Sequence, residues 1–463
     1  MNGGPIPFES LLLQDIYSTP AMRALWTEEE MVAAWMTVER AITEVQCELG
    51  MVPAEAAAQI SACLDRGSIP LERVREHATR SGHLMVAFLR TFRESCGDAA
   101  EHFHLGPTTQ DILDTGMALQ MGAASDLVCE QALELEAILC RRALEEKDTV
   151  MMGRTHEQHA LPTTFGLVLA AWAAEVHDHI DRLRQGEPRW RTGSVAGGVG
   201  AQNAFVELAD AGTARELERR VCGRLGLGVP LVQQQGRLDR FAEPVFALAS
   251  LIGGLARIGL QLRTMERPEV AEVEAVYGGE ACSSSTMPNK RNPEPVERVE
   301  GLAQLARGHV DALLSLRAAD HRDSTRLPVL YSAIPGAFLL ASRALEAISR
   351  HLDSLRVDRD AMRANLDHPR VLGQAAAERI MMALYRKTGK KHWAHTRLSE
   401  CSARSRQTGQ PLRQVIRAAP DLAGYFSEGE LDALFDLSSY TGTAALQVEQ
   451  AVAELRKLNR RAD

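Results

Sequence analysis

The chain has 463 residues, of which 45% are apolar and 24% are charged; these values are ordinary for a soluble globular protein of two or three domains and exclude a disordered chain. Its formal net charge of -9 provides no basic field for nucleic acid or for an anionic membrane surface. A protein of this charge that handles anions must therefore keep its positive charge local.

Residues 1–105 predict an N-terminal helical cap domain. Thr27 precedes three glutamates, a pattern typical of a helix N-cap with an acidic first turn. Apolar residues then recur at helical spacing and predict one buried face, formed by Met31, Trp35, Val38, Ile42 and Val45. Further along, His83 opens an apolar segment, where it has either a structural role at a helix start or a role in a site.

Residues 106–355 predict a central bundle of long helices. Segments of roughly 25 to 40 residues, rich in Ala, Leu, Glu and Arg, exceed the usual mean helix of about 11–12 residues. Short breaks are predicted at Gly153, at Gly186 to Pro188 and at Gly193 to Gly200. Wide apolar faces, such as the one at Leu248 and Leu251, favour association of subunits through this bundle. Residues 356–463 predict a C-terminal domain of shorter helices, so the whole chain is expected to be all-α.

Three polar stretches interrupt the helical pattern, each near a predicted helix end. In the first, His104 to Asp111, Thr108 with Asp111 is typical of a helix cap, and Thr108 with Thr109 at a helix N-terminus is also a good carboxylate receptor. The second, Gly153 to Pro162, holds His156 and His159. Proton transfer by a histidine is favoured there over metal binding, because HxxH without a further ligand motif is weak evidence for a metal.

The third stretch runs from Ser283 to Pro293 and combines four hydroxyl side chains, two carboxamides and Lys290 within eleven residues. Such a composition suits the binding and polarisation of a carboxylate, and the alternative is a simple connecting loop. Gly278 and Gly279 precede it, which predicts a segment able to open and close.

The eight cysteines are scattered without a CxxC pair, which indicates neither a disulfide framework nor a thiolate zinc site. The N-terminus lacks a basic region followed by an apolar core, and the longest apolar run, Val245 to Ala256, is too short to span a bilayer. We therefore expect a cytoplasmic protein.

The three polar stretches resemble conserved regions of the fumarase/aspartase superfamily. The loop is similar to the signature G-S-S-x-M-P-x-K-x-N-P, and the other two stretches to T-S-Q-D-x-x-D-T and G-R-T-H-x-Q-H-A. The resemblance implies an all-α subunit of three domains and a homotetramer built around a core of twenty helices. It also implies active sites that each collect residues from three subunits, reversible anti elimination across a succinyl unit, and no metal or organic cofactor.

Carried over position by position, the resemblance implies that Ser284 is the general base, with its alkoxide stabilised by loop amides and Lys290. His156 matches a histidine that protonates the leaving group or helps to orient and polarise it. The remaining positions that the resemblance assigns to substrate binding are Thr108, Thr109, Gln110, Thr155, Met287, Asn292, Arg240, Arg322 and, as in adenylosuccinate lyases, His83.

The branch of the superfamily follows from smaller features. Thr108 to Asp111 and the run Phe426 to Gly442 resemble the 3-carboxy-cis,cis-muconate cycloisomerase branch, but His156 favours a true lyase because bacterial cycloisomerases can carry Trp there. The stretch Asp323 to Leu330 lacks the serine-rich segment ending in Glu-Arg of adenylosuccinate lyases, which argues against a purine nucleotide.

The sequence therefore predicts a lyase that cleaves a C–N bond in a succinyl-type substrate, such as an N-substituted aspartate or a nitrosuccinate-like compound, and releases fumarate. The alternatives are a lactone-forming cycloisomerase, an adenylosuccinate lyase and an inactive, crystallin-like structural homotetramer. The presence of Ser284, His156, Lys290 and Asn292 argues against an inactive protein.

Overall fold

The computed structural model describes residues 8–65, 69–232, 239–276, 286–287, 289–316, 324–368 and 371–462. Within these ranges the chain forms twenty α-helices and four short strands, which confirms the prediction of an all-α protein. The first ten helices are α1 (Gln14–Tyr17), α2 (Pro20–Ala24), α3 (Glu28–Glu48), α4 (Ala54–Asp65), α5 (Leu71–Ser81), α6 (Leu84–Cys96), α7 (Thr109–Glu145), α8 (Phe165–Trp190), α9 (Asn203–Leu208) and α10 (Ala211–Arg224).

The second ten helices are α11 (Asp239–Met265), α12 (Glu294–Ser315), α13 (Arg326–Asp353), α14 (Arg359–Leu366), α15 (Ala377–Thr388), α16 (Lys391–Thr408), α17 (Leu412–Ala418), α18 (Pro420–Ala423), α19 (Glu428–Phe435) and α20 (Ala444–Ala462). Strands β1 (Val150–Thr155) and β2 (Gln158–Thr164) pair antiparallel, as do β3 (Val273–Ala275) and β4 (Leu355–Val357). With three to seven residues each, these strands are too short to leave a clear alternation in the sequence.

The chain divides into two compact units. The first comprises Met1–Ala132, Asp178–Ala256 and Arg298–Glu346, and the second comprises Leu133–His177, Arg257–Glu297 and Ala347–Asp463. The division into three domains at residues 105 and 355 stays a prediction.

The core of the first unit is rich in aromatic side chains. Trp35 of α3 meets Phe88 of α6 edge to face, and Phe92 stacks on Phe103 with ring centroids 3.8 Å apart. The predicted face of α3 is buried except for Met31, which is half-buried, and the N-terminus has the predicted cap, in which Thr27 Oγ1 accepts a hydrogen bond from the Glu30 amide at 3.2 Å. This core supports the segment that leads into α7.

The long helices have the predicted lengths, with 37 residues in α7, 26 in α8 and 27 in α11. The predicted break at Gly186 to Pro188 is wrong, because α8 continues to Trp190. Pro188 falls in the last turn of the helix, where its missing N–H removes a single hydrogen bond, and the bond from the Arg191 amide to the Glu187 carbonyl still forms at 2.8 Å.

Two helices in the described part of the chain, α11 and α13, are long and apolar enough to cross a membrane by length and composition. In these two helices, 50% and 61% of the apolar window is buried inside the chain. Core helices of soluble proteins pass the same test.

In the second unit the helices after Leu366 pack around a separate apolar core that includes Ile380, Leu384, Leu398 and Val415. Met152 of β1 is fully buried in this core. The hairpin formed by β1 and β2 is therefore anchored at its base, and its other end carries the second polar stretch.

Candidate active site

In the first unit, the polar stretch before α7 is organised by Asp111. This carboxylate is fully buried in the first turn of α7 and accepts a hydrogen bond from the Thr108 amide at 2.9 Å, which is the predicted helix cap. It also accepts hydrogen bonds from Ser194 Oγ at 2.6 Å and from the amides of Ala196 and Gly197 at 3.1 and 2.8 Å. Three of these four donors lie in the glycine-rich loop of residues 193–200 and join it to the N-terminus of α7.

The residues around this carboxylate remain partly accessible. Thr108, Thr109 and Gln110 are all half-buried, whereas Asp111 and the following turns of α7 are buried. The N-terminus of a helix presents amide donors and a positive dipole end, so this turn combines the two threonine hydroxyls with a favourable field for an anion.

Gln110 is held by a buried arginine that the sequence did not identify as a site residue. Arg326, the first residue of α13, donates from Nη2 to Gln110 Oε1 and to Asp114 Oδ1, the second at 2.7 Å. Asp114 Oδ2 lies 3.5 Å from Nη2 of Arg240, and Arg240 Nη1 donates to Thr192 Oγ1 at 2.9 Å. The first unit therefore joins two predicted residues, Gln110 and Arg240, through Asp114 and Arg326.

The sequence alone predicts only part of this cluster of polar residues. Gln110 and Asp114 are four residues apart, so a helix places both on one face. Arg326 lies 216 residues after Gln110, and nothing in its local sequence indicates that distant partner.

His104 lies beside the cap and is partnered by a buried carboxylate. Its Nδ1 is 2.5 Å from Oε1 of Glu39, which is fully buried in α3. Burial lowers the pKa of His104, but the charge and hydrogen bond of Glu39, together with the charge of Asp111, outweigh burial and raise the pKa above its ordinary value. Folding therefore shifts the protonation equilibrium of His104 toward the imidazolium form.

His83 has a structural role at a helix start, which is one of the two roles that the sequence predicts for it. It is the N-cap residue of α6, and its Nδ1 accepts a hydrogen bond from the Val86 amide at 3.3 Å. Its ring is exposed, and its participation in a substrate site stays a prediction.

In the second unit, His156 lies at the tip of the hairpin rather than at a helix end. His156 and Glu157 connect β1 to β2 as a two-residue turn with φ values of 52° and 59°. Positive φ at both central residues is the geometry of a type I′ turn, which matches the twist of the flanking strands. Both side chains are exposed, as is the neighbouring Thr155.

The hairpin is fixed close to its tip by an ion pair. Arg154 donates to the two carboxylate oxygens of Glu272 at 2.9 and 2.7 Å, and Asn365 Nδ2 donates to the same carboxylate at 3.0 Å. Glu272 is fully buried and directly precedes β3. Neither Glu272 nor Asn365 was identified from the sequence, since both are distant along the chain from the hairpin.

Gly153 lies at an irregularity in β1. The register of β1 against β2 shifts between Met152 and Arg154. A Cβ at Gly153 would meet the carbonyl oxygen of Leu161 at 2.6 Å, so only glycine fits this close approach.

His159 faces a different environment from His156. Burial, then the positive charges of Arg154 and of His368, lower its pKa below the ordinary value, against a smaller opposite effect of Glu272. The rings of His159 and His368 lie 6.5 Å apart. Across the described ranges, no group of three or more His, Cys, Asp or Glu side chains is arranged to hold a metal ion.

Only the later part of the signature loop lies within the described residues. Ser284, the predicted base, and Arg322 lie outside them. Met287 and Lys290 are exposed and are joined by a hydrogen bond from the Lys290 amide to the Met287 carbonyl at 3.0 Å. Asn292 lines a cavity of about 250 Å³ in the second unit, together with Glu266, Val273, Glu274, Arg291, Arg356 and Asp358.

The sequence of the chain is similar to known families and proteins along most of its length. A family model described as Lyase matches residues 16–308, and one described as adenylosuccinate lyase C-terminus matches residues 373–451. Adenylosuccinate lyase of Methanocaldococcus jannaschii is 32% identical over 444 residues, which are 95% of each chain. N-acetyl-S-(2-succino)cysteine lyase of Dickeya dadantii is 31% identical over 443 residues, which are 96% of each chain.

Among solved structures, that of a fumarate lyase from Mesorhizobium sp. BNC1 is similar with a TM-score of 0.86 and 30% sequence identity, and the match covers 94% of this chain and 98% of that one. The likeness therefore runs through the segments that carry the cap of α7, the hairpin and the C-terminal helices.

Proposed function

Since the chain belongs to the fumarase/aspartase superfamily of lyases, we propose that it catalyses anti β-elimination from a succinyl-type substrate and releases fumarate. The substrate we propose is an N-substituted aspartate or a nitrosuccinate-like compound, so that a carbon–nitrogen bond is cleaved. The observation that carries the proposal is the first turn of α7, where the buried Asp111 fixes the Thr108 amide and Thr108, Thr109 and Gln110 remain partly accessible at a helix N-terminus. Hydroxyls, amides and the helix dipole together suit a substrate carboxylate.

In the proposed mechanism, Ser284 removes a proton from the carbon next to one substrate carboxylate. The electron pair moves into that carboxylate and forms a dianionic aci-carboxylate, which the loop amides, Lys290 and Asn292 stabilise. One donor aimed at such a developing charge is typically worth about 3 kcal/mol. The pair then returns to form the carbon–carbon double bond of fumarate, the carbon–nitrogen bond breaks, and His156 protonates or polarises the departing nitrogen. No metal or organic cofactor takes part in this proposal.

We propose that the active enzyme is a cytoplasmic homotetramer whose sites are each shared by three subunits. Large apolar side chains on the long helices support association, because Phe246 and Leu260 of α11 are 58% and 51% exposed and Leu305 and Leu314 of α12 are 47% and 70% exposed. Exposed apolar side chains on long helices are typical of subunit contacts. The position of His156 at the tip of an exposed turn also suits a residue that serves a neighbouring subunit.

A second candidate is cleavage of a carbon–sulfur bond in an S-succinyl thiol. It is favoured by the likeness to the N-acetyl-S-(2-succino)cysteine lyase of Dickeya dadantii. A thiolate is a far better leaving group than an amide or amine anion, since an ordinary thiol has a pKa of about 8.5. Cleavage of such a substrate would therefore depend less on proton donation by His156.

One experiment separates these activities. The purified protein is incubated with N-substituted aspartates, adenylosuccinate, nitrosuccinate, N-acetyl-S-(2-succino)cysteine and 3-carboxy-cis,cis-muconate, and fumarate is followed by its ultraviolet absorbance. Fumarate from a nitrogen-substituted compound is the expected result. Fumarate from the thioether alone would favour the second candidate, and lactone formation from the muconate without fumarate would contradict both.

A further inference from the structure

Arg326 is an unusual residue for its position. It is the first residue of α13 and is 2% exposed, although a buried guanidinium carries a large desolvation cost unless it is paired and hydrogen-bonded. Its carboxylate partner, Asp114, is itself buried in α7, and the Nη2 to Oδ1 distance is 2.7 Å. A buried ion pair alone is weak evidence of a stabilising role, because apolar residues of similar volume are often as good. Arg326 also contacts a third residue, which indicates a role for the ion pair beyond stability.

That third residue is Gln110, whose side-chain oxygen accepts a hydrogen bond from the same guanidinium nitrogen. Gln110 and Asp114 lie four residues apart on one face of α7, so Arg326 spans both from the start of α13. Arg240 approaches the other oxygen of Asp114 at 3.5 Å, which holds the carboxylate from its second side. Arg326 is therefore fixed in place before any ligand binds.

A guanidinium carries five N–H donors and has no acceptor, whereas a carboxamide has an oxygen acceptor on one side and an NH₂ donor group on the other. Because Arg326 takes the oxygen of Gln110, the amide cannot turn over without placing two donors against each other. Its NH₂ group is consequently the side that remains for a ligand. An ionised carboxylate is acceptor-only, so this orientation matches it.

We propose that Arg326 is a positioning residue that acts through Gln110, holding the carboxamide with its donors toward a substrate carboxylate and so selecting the carboxylate over the corresponding amide. This inference rests on the proposed function, in which Gln110 binds the succinyl unit. The rival explanation is that Arg326 serves only to stabilise the pairing of α7 with α13 in the first unit.

Binding of fumarate and of its monoamide, fumaramate, measured by titration calorimetry, tests the proposal. The proteins compared are the wild type, Arg326→Lys, Gln110→Ala and the double variant. Arg326→Lys keeps a cation for Asp114 but lacks the fork that reaches two partners. Arg343→Lys is the matched control, because Arg343 lies on the same helix and pairs with Glu346 at 2.6 Å. Size-exclusion chromatography and thermal unfolding check the fold of each variant.

We expect the wild type to prefer fumarate to fumaramate. Arg326→Lys should lower this preference about tenfold, the factor that corresponds to loss of one well-placed hydrogen bond to a charged group. Gln110→Ala should lower the preference for fumarate by a similar factor. The double variant should lose no more of this preference than either single variant. Equal weakening of both ligands by Arg326→Lys, or additive losses in the double variant, would support the purely structural explanation and overturn the proposal.

A second variant covers the case in which Arg326→Lys does not fold. Gln110→Glu leaves Arg326 and Asp114 intact and offers the same oxygen acceptor to the guanidinium, but it replaces the NH₂ donors by an oxygen. Fumarate binding should fall by more than about tenfold while fumaramate binding is retained. Unchanged fumarate binding would mean that the donors of Gln110 do not face the carboxylate, which also overturns the proposal.

The outcomes separate this inference from the proposed function. Turnover to fumarate with an unchanged preference in Arg326→Lys would overturn the inference alone. Binding of fumarate with the expected coupling, but no fumarate release from any compound of the substrate panel, would overturn the proposed function alone. Absence of fumarate binding by the wild type would overturn both.

Discussion

Arg154 of the hairpin donates two hydrogen bonds to the carboxylate of Glu272, at 2.9 and 2.7 Å, and the carboxylate is fully buried while the arginine is 17% exposed. Thr155 and His156 follow Arg154 directly in the chain. This ion pair therefore determines how firmly the tip of the hairpin is held.

Replacement of Glu272 should destabilise the second unit. Glu272→Gln removes the charge that compensates Arg154, and breaking one half of a buried pair typically costs about 3 kcal/mol. We expect the free energy of unfolding in urea to fall by roughly that amount, and kcat to fall as well because the tip loses its support. Glu269→Gln, at an exposed position three residues earlier, is the control and should change stability by less than about 0.5 kcal/mol. Equal stability of the two variants would contradict the assigned role of Glu272.

His104 should make stability depend on pH. Its pKa is raised in the folded chain, so the protonated form contributes stability that is fully present below the unfolded value of about 6.5 and is lost as pH rises through the folded value. We expect His104→Gln to be destabilised most at about pH 5.5 and least at about pH 9, relative to the wild type, in urea unfolding at each pH. His395→Gln, at an exposed position of α16, should show no such trend. If the free energy of unfolding differs between wild type and His104→Gln by the same amount at every pH, the ion pair with Glu39 is not the source of the difference.

Much of the fold could be predicted because helix spacing is a local property. The buried face of α3, its Thr27 cap and the lengths of the central helices all follow from residues a few positions apart. The hairpin at His156 was not predicted, because its strands are short and its turn lacks the Asn-Gly or Asp-Gly pair that usually indicates a type I′ turn.

The candidate site could be predicted only where its residues share one stretch of chain. Thr108, Gln110 and the Asp111 cap are near neighbours, and the structure brings them together. The partners that hold them, Ser194 and Arg326, come from distant segments and are recognised only once the chain is folded. Long-range polar pairs leave no periodic pattern, since their spacing is set by the packing of whole helices.

Association of subunits should depend on the exposed face of α12 that carries Leu314. Leu314→Glu places a charge at a side chain that is 70% exposed in the chain, so the folded subunit should tolerate it, whereas a buried subunit contact should not. We expect a shift from tetramer to smaller species in light scattering, with loss of at least about 90% of the activity because the proposed sites are shared. Glu300→Gln, on the exposed side of the same helix, is the control and should remain tetrameric. A tetramer of normal activity in Leu314→Glu would show that this face is not a subunit contact.

Single replacements of the proposed base and acid should each remove activity while leaving assembly intact. Ser284→Ala should lower kcat by at least about 100-fold, because general base catalysis is typically worth a factor of 100 to 10,000. His156→Asn should lower kcat for an amine or amide leaving group by a comparable factor, and less for a thiolate leaving group. Steady-state kinetics with fumarate as the measured product give both values, and light scattering gives the assembly state. Near-normal activity of Ser284→Ala would exclude it as the base.

Mixing the two inactive variants should restore part of the activity. If each site takes Ser284 and His156 from different subunits, some sites of a mixed tetramer contain one wild-type copy of both residues. Mixtures that are dissociated and reassembled should therefore gain activity, up to about one quarter of the wild-type value at equal proportions, because each of the two residues is wild type in half of the subunits. The control is Ser284→Ala reassembled with itself, which should gain none. Two tags of different mass show whether the subunits have exchanged. If the subunits have exchanged but the mixed tetramers remain inactive, both residues of a site come from one chain.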